Sequence, residues 1–276
     1  MTHPSEHFNE AGSPQAYGMP MVVEQTPGGE RGYDLMSRLM KDNAVMLHGP
    51  VNSAMAGIIV AQLLYLGAQS AGTHKPITMY VDSPGGSVNA GMSIYDTMNY
   101  VQAEYGVPIR TIGMGMNMSM GSFLLCAGTP GYRSMLPNAD HMVHQPSAGS
   151  GGKVSDMGIT QDCVEEVKQR LAMLYVAHSK MTYEEVRQLS DRDSFLRAEE
   201  CVKLGLVDKI MYADEILARK LATGSVTYPD GMKEHLERIS KIQREANLIH
   251  AQTRPGADKD RGPYKALIAG LDQKPA

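Results

Sequence analysis

The chain has 276 residues, a length that suits one large α/β domain with extensions or two smaller domains. Its 42% hydrophobic and 20% charged residues exclude a wholly disordered chain. The 26 Lys and Arg against 30 Asp and Glu give a net charge of −4, so nothing favours nucleic acid as a partner. The three cysteines are odd in number and widely spaced, which argues against a disulfide framework or a zinc knuckle, and we expect neither a metal nor a cofactor. With no secretory signal and no run of about 18 apolar residues, we expect a cytoplasmic protein without a membrane partner.

Short β-like runs alternate with helix-like segments between Met19 and about Met211. Asn52 or Ser53 can cap the first long helix, and Ser87 can cap the next. Strands that alternate with helices of 10–15 residues indicate βαβ units and a mainly parallel sheet. The predicted strands are Ala44–His48, Ile77–Val81, Ile109–Met114 and Met142–His144.

The chain divides into three stretches by composition. Residues 1–18 are polar and predict a disordered arm or a removable leader, 19–212 form the main domain, and 213–276 form a partly helical extension. Within the main domain, a glycine-rich strip at 146–152 precedes a long amphipathic helix in the 154–180 region. Periodicity alone leaves open whether this helix packs in its own domain or on something outside it. The extension carries an apolar stripe of Met232, Leu236, Ile239 and Ile242.

The segment around Ser119 is the most informative for chemistry. An apolar strand leads into small residues, then a serine, then the helix-like run FLLCA, and this strand–turn–helix context can present a reactive hydroxyl. A helix that begins just after Ser119 would aim free backbone N–H groups at an oxyanion formed there. A helix-capping serine is the alternative interpretation.

Histidine and carboxylate candidates follow along the chain. His144 ends an apolar run before Pro146, where α/β active sites are built. His141 competes with it, but alternation places the two on opposite faces, so at most one enters a given cleft. Spacing does not choose between the possible orienting carboxylates, which are Asp140, Asp156, Asp191, Asp193 and Asp208.

The βα connection Asp82–Val88 reads DSPGGSV. Its proline and two glycines allow backbone N–H groups to converge on one point, which suits an oxyanion or a phosphate. A tight turn without a ligand is the alternative. It does not match a nucleotide-binding loop.

Taken together, these runs resemble the proteolytic subunits of the ATP-dependent Clp proteases, the ClpP family, over about Met19 to Met211. The matching runs occur in the family's order: PMVVEQTPGGERGYDLMSRLMKD, IIVAQLLYL, DSPGGSVNAGMSIYDTM, SMGSFLLCAG, LPNADHMVHQP and DRDSFLRAEECVKLGLVDKI. The resemblance implies a crotonase-like α/β head of repeated βαβ units with a projecting strand–helix handle at about 145–180. It implies that residues 1–18 correspond to a self-cleaved propeptide.

The resemblance also implies a serine endopeptidase that hydrolyses unfolded polypeptides delivered by an AAA+ unfoldase. It assigns Ser119 as nucleophile, His144 as general base and Asp193 as the orienting carboxylate. The oxyanion-hole N–H groups would come from Gly86 and Met120.

The family's assembly supplies further expectations. Its members form two stacked seven-membered rings, and the helix after the glycine strip would pack on another subunit. Arg192 corresponds to a ring-to-ring contact, and Tyr80 and Tyr100 to the surface on which the unfoldase docks.

Two departures from the family pattern bear on activity. Residues 115–118 read Gly-Met-Asn-Met, and we expect the thioethers to narrow the pocket for the substrate side chain or to alter specificity. The extension beyond Tyr212 has no counterpart. Alternative functions are an inactive ClpP-like subunit of a mixed ring and a crotonase-type acyl-CoA enzyme, in which Ser119 would not be a nucleophile.

Overall fold

The computed structural model describes residues 20–149, 151–224 and 226–253. The chain forms two compact units, one ending at Asp42 and the other beginning at Asn43. The predicted arm at 1–18 and the last residues of the extension lie outside the described residues.

The first unit is a β-hairpin followed by a short helix. Its elements are β1 (Met21–Thr26), β2 (Gly29–Asp34) and α1 (Leu35–Lys41). The two strands pair antiparallel. The Asp34 carboxylate caps the helix by accepting the Ser37 N–H at 2.9 Å. Glu24 on β1 binds both Arg38 and Lys41 of the helix, which ties the helix to the hairpin.

The second unit is built on a mostly parallel sheet. Its strands are β3 (Ala44–His48), β4 (Ile77–Ser83), β5 (Ile109–Met118), β6 (Arg133–Met135), β7 (Asp140–Val143), β8 (Ser194–Leu196) and β9 (Lys209–Ile210). The parallel order is β3-β4-β5-β6-β9. Strand β5 pairs with β6 along its first half and with β7 along its second half. Only β8 runs antiparallel, against β7.

The described helices of this unit are α2 (Ser53–Ser70), α3 (Val88–Tyr105), α4 (Met120–Cys126), α5 (Val154–His178), α6 (Tyr183–Ser190), α7 (Ala198–Leu204), α8 (Ala213–Ala222) and α9 (Met232–Thr253). Helices α2, α4 and α7 pack directly on strands of the sheet. As predicted, Asn52 caps α2 and Ser87 caps α3. Helix α4 is buried along its whole length and packs against β4, β5 and β7, with α3 and α5 as neighbours. The sheet and α4 therefore form the core that positions the site.

The predicted fold class is confirmed, and the bounds of three predicted strands are corrected. Strand β4 continues to Ser83 instead of ending at Val81. Strand β5 continues to Met118 instead of ending at Met114, because its second half gains β7 as a partner. Strand β7 covers Asp140–Val143 rather than Met142–His144, so His144 lies just beyond the strand. Among the described helices, α2 alone has the length and mean hydropathy, 1.3, of a membrane span, but core helices of soluble proteins often meet the same test.

The extension is helical and packs through polar contacts. Arg244 on α9 binds the Asp214 carboxylate on α8 with two hydrogen bonds of 2.8 and 3.0 Å. The buried Ser240 hydroxyl accepts the Asp214 N–H at 3.1 Å. The predicted apolar stripe is therefore only partly right: Leu236 and Ile239 face inward, whereas Ile242 is 56% exposed because polar side chains take the packed face.

Candidate active site

Ser119 lies at the junction between β5 and α4, where the chain turns sharply. Its backbone has φ 53° and ψ −121°, a strained conformation for a residue that is not glycine. It occupies the N-cap position of α4, but its side chain makes no capping hydrogen bond. Its Oγ lies 2.9 Å from Nε2 of His144 instead. The hydroxyl is thus directed at the histidine and not at the helix.

The register of β7 and β8 brings His144 and Asp193 together. In this antiparallel pair Val143 is opposite Ser194, so the next residues outward, His144 and Asp193, also face each other. Their side chains meet with 3.2 Å between His144 Nδ1 and Asp193 Oδ1. Both are about one-quarter exposed. Serine, histidine and aspartate thus form one continuous chain of contacts.

The other four candidate carboxylates have different surroundings. Asp140 binds Arg197 at 2.6 Å, and Asp208 binds Arg133 at the same distance. Asp191 is exposed beside Arg192, and Asp156 lies in the first turn of α5. Of the five candidates, the structure brings only Asp193 to the histidine.

The glycine pair after β4 passes directly beside Ser119. A Cβ on Gly85 would lie 2.5 Å from Ser119 Cβ and 3.0 Å from Met120 N, so only glycine fits there. Gly86 adopts φ +147° and is fixed to Val51 by the bonds Val51 N–H to Gly85 O and Ser87 N–H to Val51 O. Within the described part of the chain, neither the Gly86 nor the Met120 N–H donates to a backbone carbonyl. These two amides are therefore available to an oxygen near Ser119.

A mainly apolar pocket opens between α4 and α5 beside Ser119 and His144. Its walls include Val88, Met120, Phe123, Lys168, Leu171, Ala172, Tyr175 and Val186. Neither Met116 nor Met118 lines this pocket. The sequence predicts the amphipathic helix but does not single out Ala172 and Tyr175, the two buried residues of α5.

The remaining predicted residues lie away from these contacts. Tyr80 is half-buried on β4, and Tyr100 on α3 is 50% exposed with its ring edge-on to Tyr105. Arg192 is exposed in the loop that carries Asp193. In residues 20–149, 151–224 and 226–253, no cluster of His, Cys, Asp or Glu has the composition of a metal site.

A mixed α/β fold in which a strained serine contacts a histidine, and the histidine an aspartate, has the arrangement of serine hydrolases. A family model described as Clp protease matches residues 27–214, about two thirds of the chain. The chain therefore belongs to the Clp protease family and is a ClpP-type serine endopeptidase. Membership also implies oligomeric assembly with Clp ATPases. It separates the chain from the crotonase-type acyl-CoA enzymes considered as an alternative.

Proposed function

We propose that the chain hydrolyses peptide bonds with Ser119 as nucleophile, His144 as general base and Asp193 as the residue that orients the imidazole. The 2.9 Å contact between Ser119 Oγ and His144 Nε2 carries this proposal. A serine hydroxyl is a weak nucleophile until a neighbouring base takes its proton. The 3.2 Å contact between Asp193 and Nδ1 supports a ring that donates from Nδ1 and accepts at Nε2.

In the first half-reaction, Ser119 Oγ attacks the scissile carbonyl carbon while its proton moves to His144 Nε2. The Gly86 and Met120 N–H groups would stabilise the oxyanion, and this role is supported by their position beside Ser119 without backbone acceptors. His144 then gives the proton to the leaving amine, and an acyl-enzyme remains. Water activated by the same histidine releases the second product.

The pocket between α4 and α5 would receive the substrate side chain next to the scissile bond. Its apolar walls favour apolar side chains. Unfolded polypeptides, delivered by an AAA+ unfoldase that consumes ATP, are the proposed substrates.

We further propose two stacked seven-membered rings, with α5 at the contact between subunits. The first turns of α5 support this, since Val154, Met157 and Ile159 are 86%, 41% and 63% exposed. Arg192 would contribute to ring–ring contacts, and Tyr80 and Tyr100 to unfoldase docking. The free thiols of Cys126, Cys163 and Cys201 fit the proposed cytoplasmic location.

The test of the triad compares Ser119→Ala with the control variant Ser93→Ala. Ser93 lies on α3, and its hydroxyl donates a hydrogen bond to a backbone carbonyl of the same helix. We expect Ser119→Ala to lose peptide hydrolysis and labelling by a fluorophosphonate, and Ser93→Ala to keep both. Hydrolysis by purified Ser119→Ala at the wild-type rate would end the proposal. Native mass measurement of the purified protein tests the rings, and a monomer would contradict them.

A further inference from the structure

A second serine–histidine contact lies beneath the first and is closed to solvent. Ser122 Oγ is 2.7 Å from Nε2 of His141, and both residues are fully buried. The same Oγ is 2.8 Å from the hydroxyl of Tyr175, which is 6% exposed. None of these three side chains takes part in the proposed proton transfers, although Tyr175 also lines the proposed substrate pocket.

The two serine–histidine contacts join the same two segments of the chain. Ser122 is one turn after Ser119 on α4, and His141 is three residues before His144, on β7. The backbone already joins these segments, since the Ser119 N–H donates to Met142 O at 2.9 Å. The Ser122–His141 contact adds a buried side-chain hydrogen bond one turn further along α4, which restricts rotation of the helix relative to β7. Because α4 has only seven residues, a shift of Ser122 is carried directly to Ser119.

Tyr175 connects this pair to a third element, α5. Its ring packs edge-on against Phe123 of α4, with centroids 5.4 Å apart, and it lines the pocket beside Ser119. The tyrosine hydroxyl therefore ties the pocket wall to the helix that carries the nucleophile.

The chemistry of the network is that of neutral groups. Burial lowers the pKa of His141 to about 3, so the ring is uncharged at neutral pH. In the arrangement that uses both hydroxyl protons, the Tyr175 hydroxyl donates to Ser122 Oγ, and the Ser122 hydroxyl donates to His141 Nε2. The ring proton then resides on Nδ1.

Two buried polar atoms beside this network are unsatisfied within the residues described, one on His141 itself and one on the neighbouring strand β5. His141 Nδ1 and Asn117 Oδ1 are both buried without a hydrogen-bond partner among the described residues. The two residues are register partners on β7 and β5, so their side chains point to the same face of the sheet. The amide nitrogen of Asn117 already donates to Met114 O and Asp140 O, which leaves its oxygen as an acceptor.

We propose that Ser122, His141 and Tyr175 are positioning residues, whose buried hydrogen-bond network holds Ser119 in register with His144 and fixes the α5 wall of the pocket. This inference rests on the proposed triad, because it concerns the geometry of that nucleophile and base. Reacting groups must stay close to the productive geometry, and a displacement of about 1 Å can lower a rate about a hundredfold.

The experiment compares two variants, each of which removes the hydroxyl group of one buried tyrosine. Tyr175→Phe breaks the network but keeps the ring in the pocket. Tyr95→Phe is the matched control, since its hydroxyl bonds His178 at 3.0 Å and its ring also packs on Phe123, without touching Ser122. We expect Tyr175→Phe to lower kcat on a short fluorogenic peptide about tenfold with KM within about twofold. We expect Tyr95→Phe to keep the wild-type kcat.

Two variants of His141 separate the effect of its hydrogen bond to Ser122 from the effect of its side-chain volume. His141→Gln retains a polar group toward Ser122 and should preserve kcat better than His141→Leu, with slower fluorophosphonate labelling of Ser119 in the leucine variant. In the wild-type protein, histidine ¹⁵N shifts should report the proton of His141 on Nδ1, a reading that needs no variant to fold.

The outcomes are distinguishable from failure of the triad. Wild-type kcat in Tyr175→Phe, or equal losses in both tyrosine variants, overturns the positioning role while an inactive Ser119→Ala leaves the proposed function intact. A ring proton on Nε2 of His141 overturns the direction of the network. Activity in Ser119→Ala would instead remove the triad on which the inference rests.

Discussion

Substituting Gly86 by alanine tests the proposed oxyanion hole through one backbone position. An alanine Cβ would lie 2.3 Å from Val51 O and 3.0 Å from both Val51 C and Val51 N. All three are backbone atoms, so no side-chain rotation can relieve the contact. The loop is also fixed on that side by two hydrogen bonds of 2.8 Å, from Val51 N–H to Gly85 O and from Ser87 N–H to Val51 O.

The size of the effect follows from the required displacement. Ordinary van der Waals contact begins near 3.4 Å, so the new Cβ and the Val51 carbonyl must separate by about 1 Å. That shift moves the Gly86 N–H away from the oxygen it would stabilise. Loss of one oxyanion donor costs about 3 kcal/mol in the barrier, or about a hundredfold in kcat.

The assay is steady-state hydrolysis of a short fluorogenic peptide, with kcat and KM determined separately. Gly72→Ala is the control, because Gly72 also has a positive φ, +74°, but a Cβ there meets nothing within 4 Å. Both variants place a side chain at a positive φ, which costs about 1–3 kcal/mol of backbone strain, and only Gly86→Ala should lose about a hundredfold in kcat. If a folded Gly86→Ala enzyme turns over within about twofold of the wild type, its amide is not an oxyanion donor.

Three further changes have definite expected outcomes. Asp193→Asn should lower kcat by about 10³-fold or more in the same assay, because the imidazole loses its orienting carboxylate. The control Asp191→Asn changes an exposed aspartate of the same loop and should leave kcat unchanged. Equal effects of the two variants would contradict the assignment of Asp193. Because burial lowers the pKa of His141 to about 3, this group should cost the folded protein about 2 kcal/mol of stability between pH 6.5 and 5, as the unfolded chain takes up the proton. Urea unfolding should show a smaller loss over this range in His141→Leu than in the wild type, and the part that remains includes His178, whose pKa burial also lowers; equal losses would contradict the prediction. Arg244→Ala should lower the melting temperature by a few degrees without changing kcat below it, since the bonds to Asp214 are partly exposed; thermal unfolding checks this, and an unchanged melting temperature would contradict it.

The elements that the sequence predicts well are those whose signals are local. Strand Ala44–His48 is a continuous apolar run with the predicted bounds, and Asn52 and Ser87 cap their helices through contacts within three residues. Alternation would place His141 and His144 on opposite faces, but both contact serines at the start of α4, because His144 lies just beyond the end of β7. One side chain is buried against Ser122, and the other contacts Ser119.

The extension shows where local patterns fail. Its sequence suggests an apolar stripe that includes Ile242, but the packed face is shared with Ser240 and Arg244, whose partners lie on and beside α8. Asn247 likewise binds Pro137 O and Glu199 from far along the chain. Polar residues that pack through specific partners have no hydrophobic period, so periodicity cannot identify their face.

The choice of Asp193 over Asp191 shows the same limit at the site. The two aspartates are two residues apart in one loop, and spacing treats them alike. Strand β8 has three residues, too few to carry an alternation signal. What separates them is the pairing of β8 with β7, which sets residue 193 opposite residue 144. Only the resemblance to a family could anticipate that pairing.

The order of the triad along the chain follows from this sheet. Ser119 comes at the carboxyl end of β5, and β7, which pairs with that end, delivers His144 one step beyond it. A third residue on the same edge must come from a strand beside β7. Since β8 runs antiparallel, the residue that meets His144 precedes β8 rather than following it. The sequence order Ser–His–Asp thus follows from the chain order of β5, β7 and β8, and the reversed direction of β8 places Asp193 just before its strand.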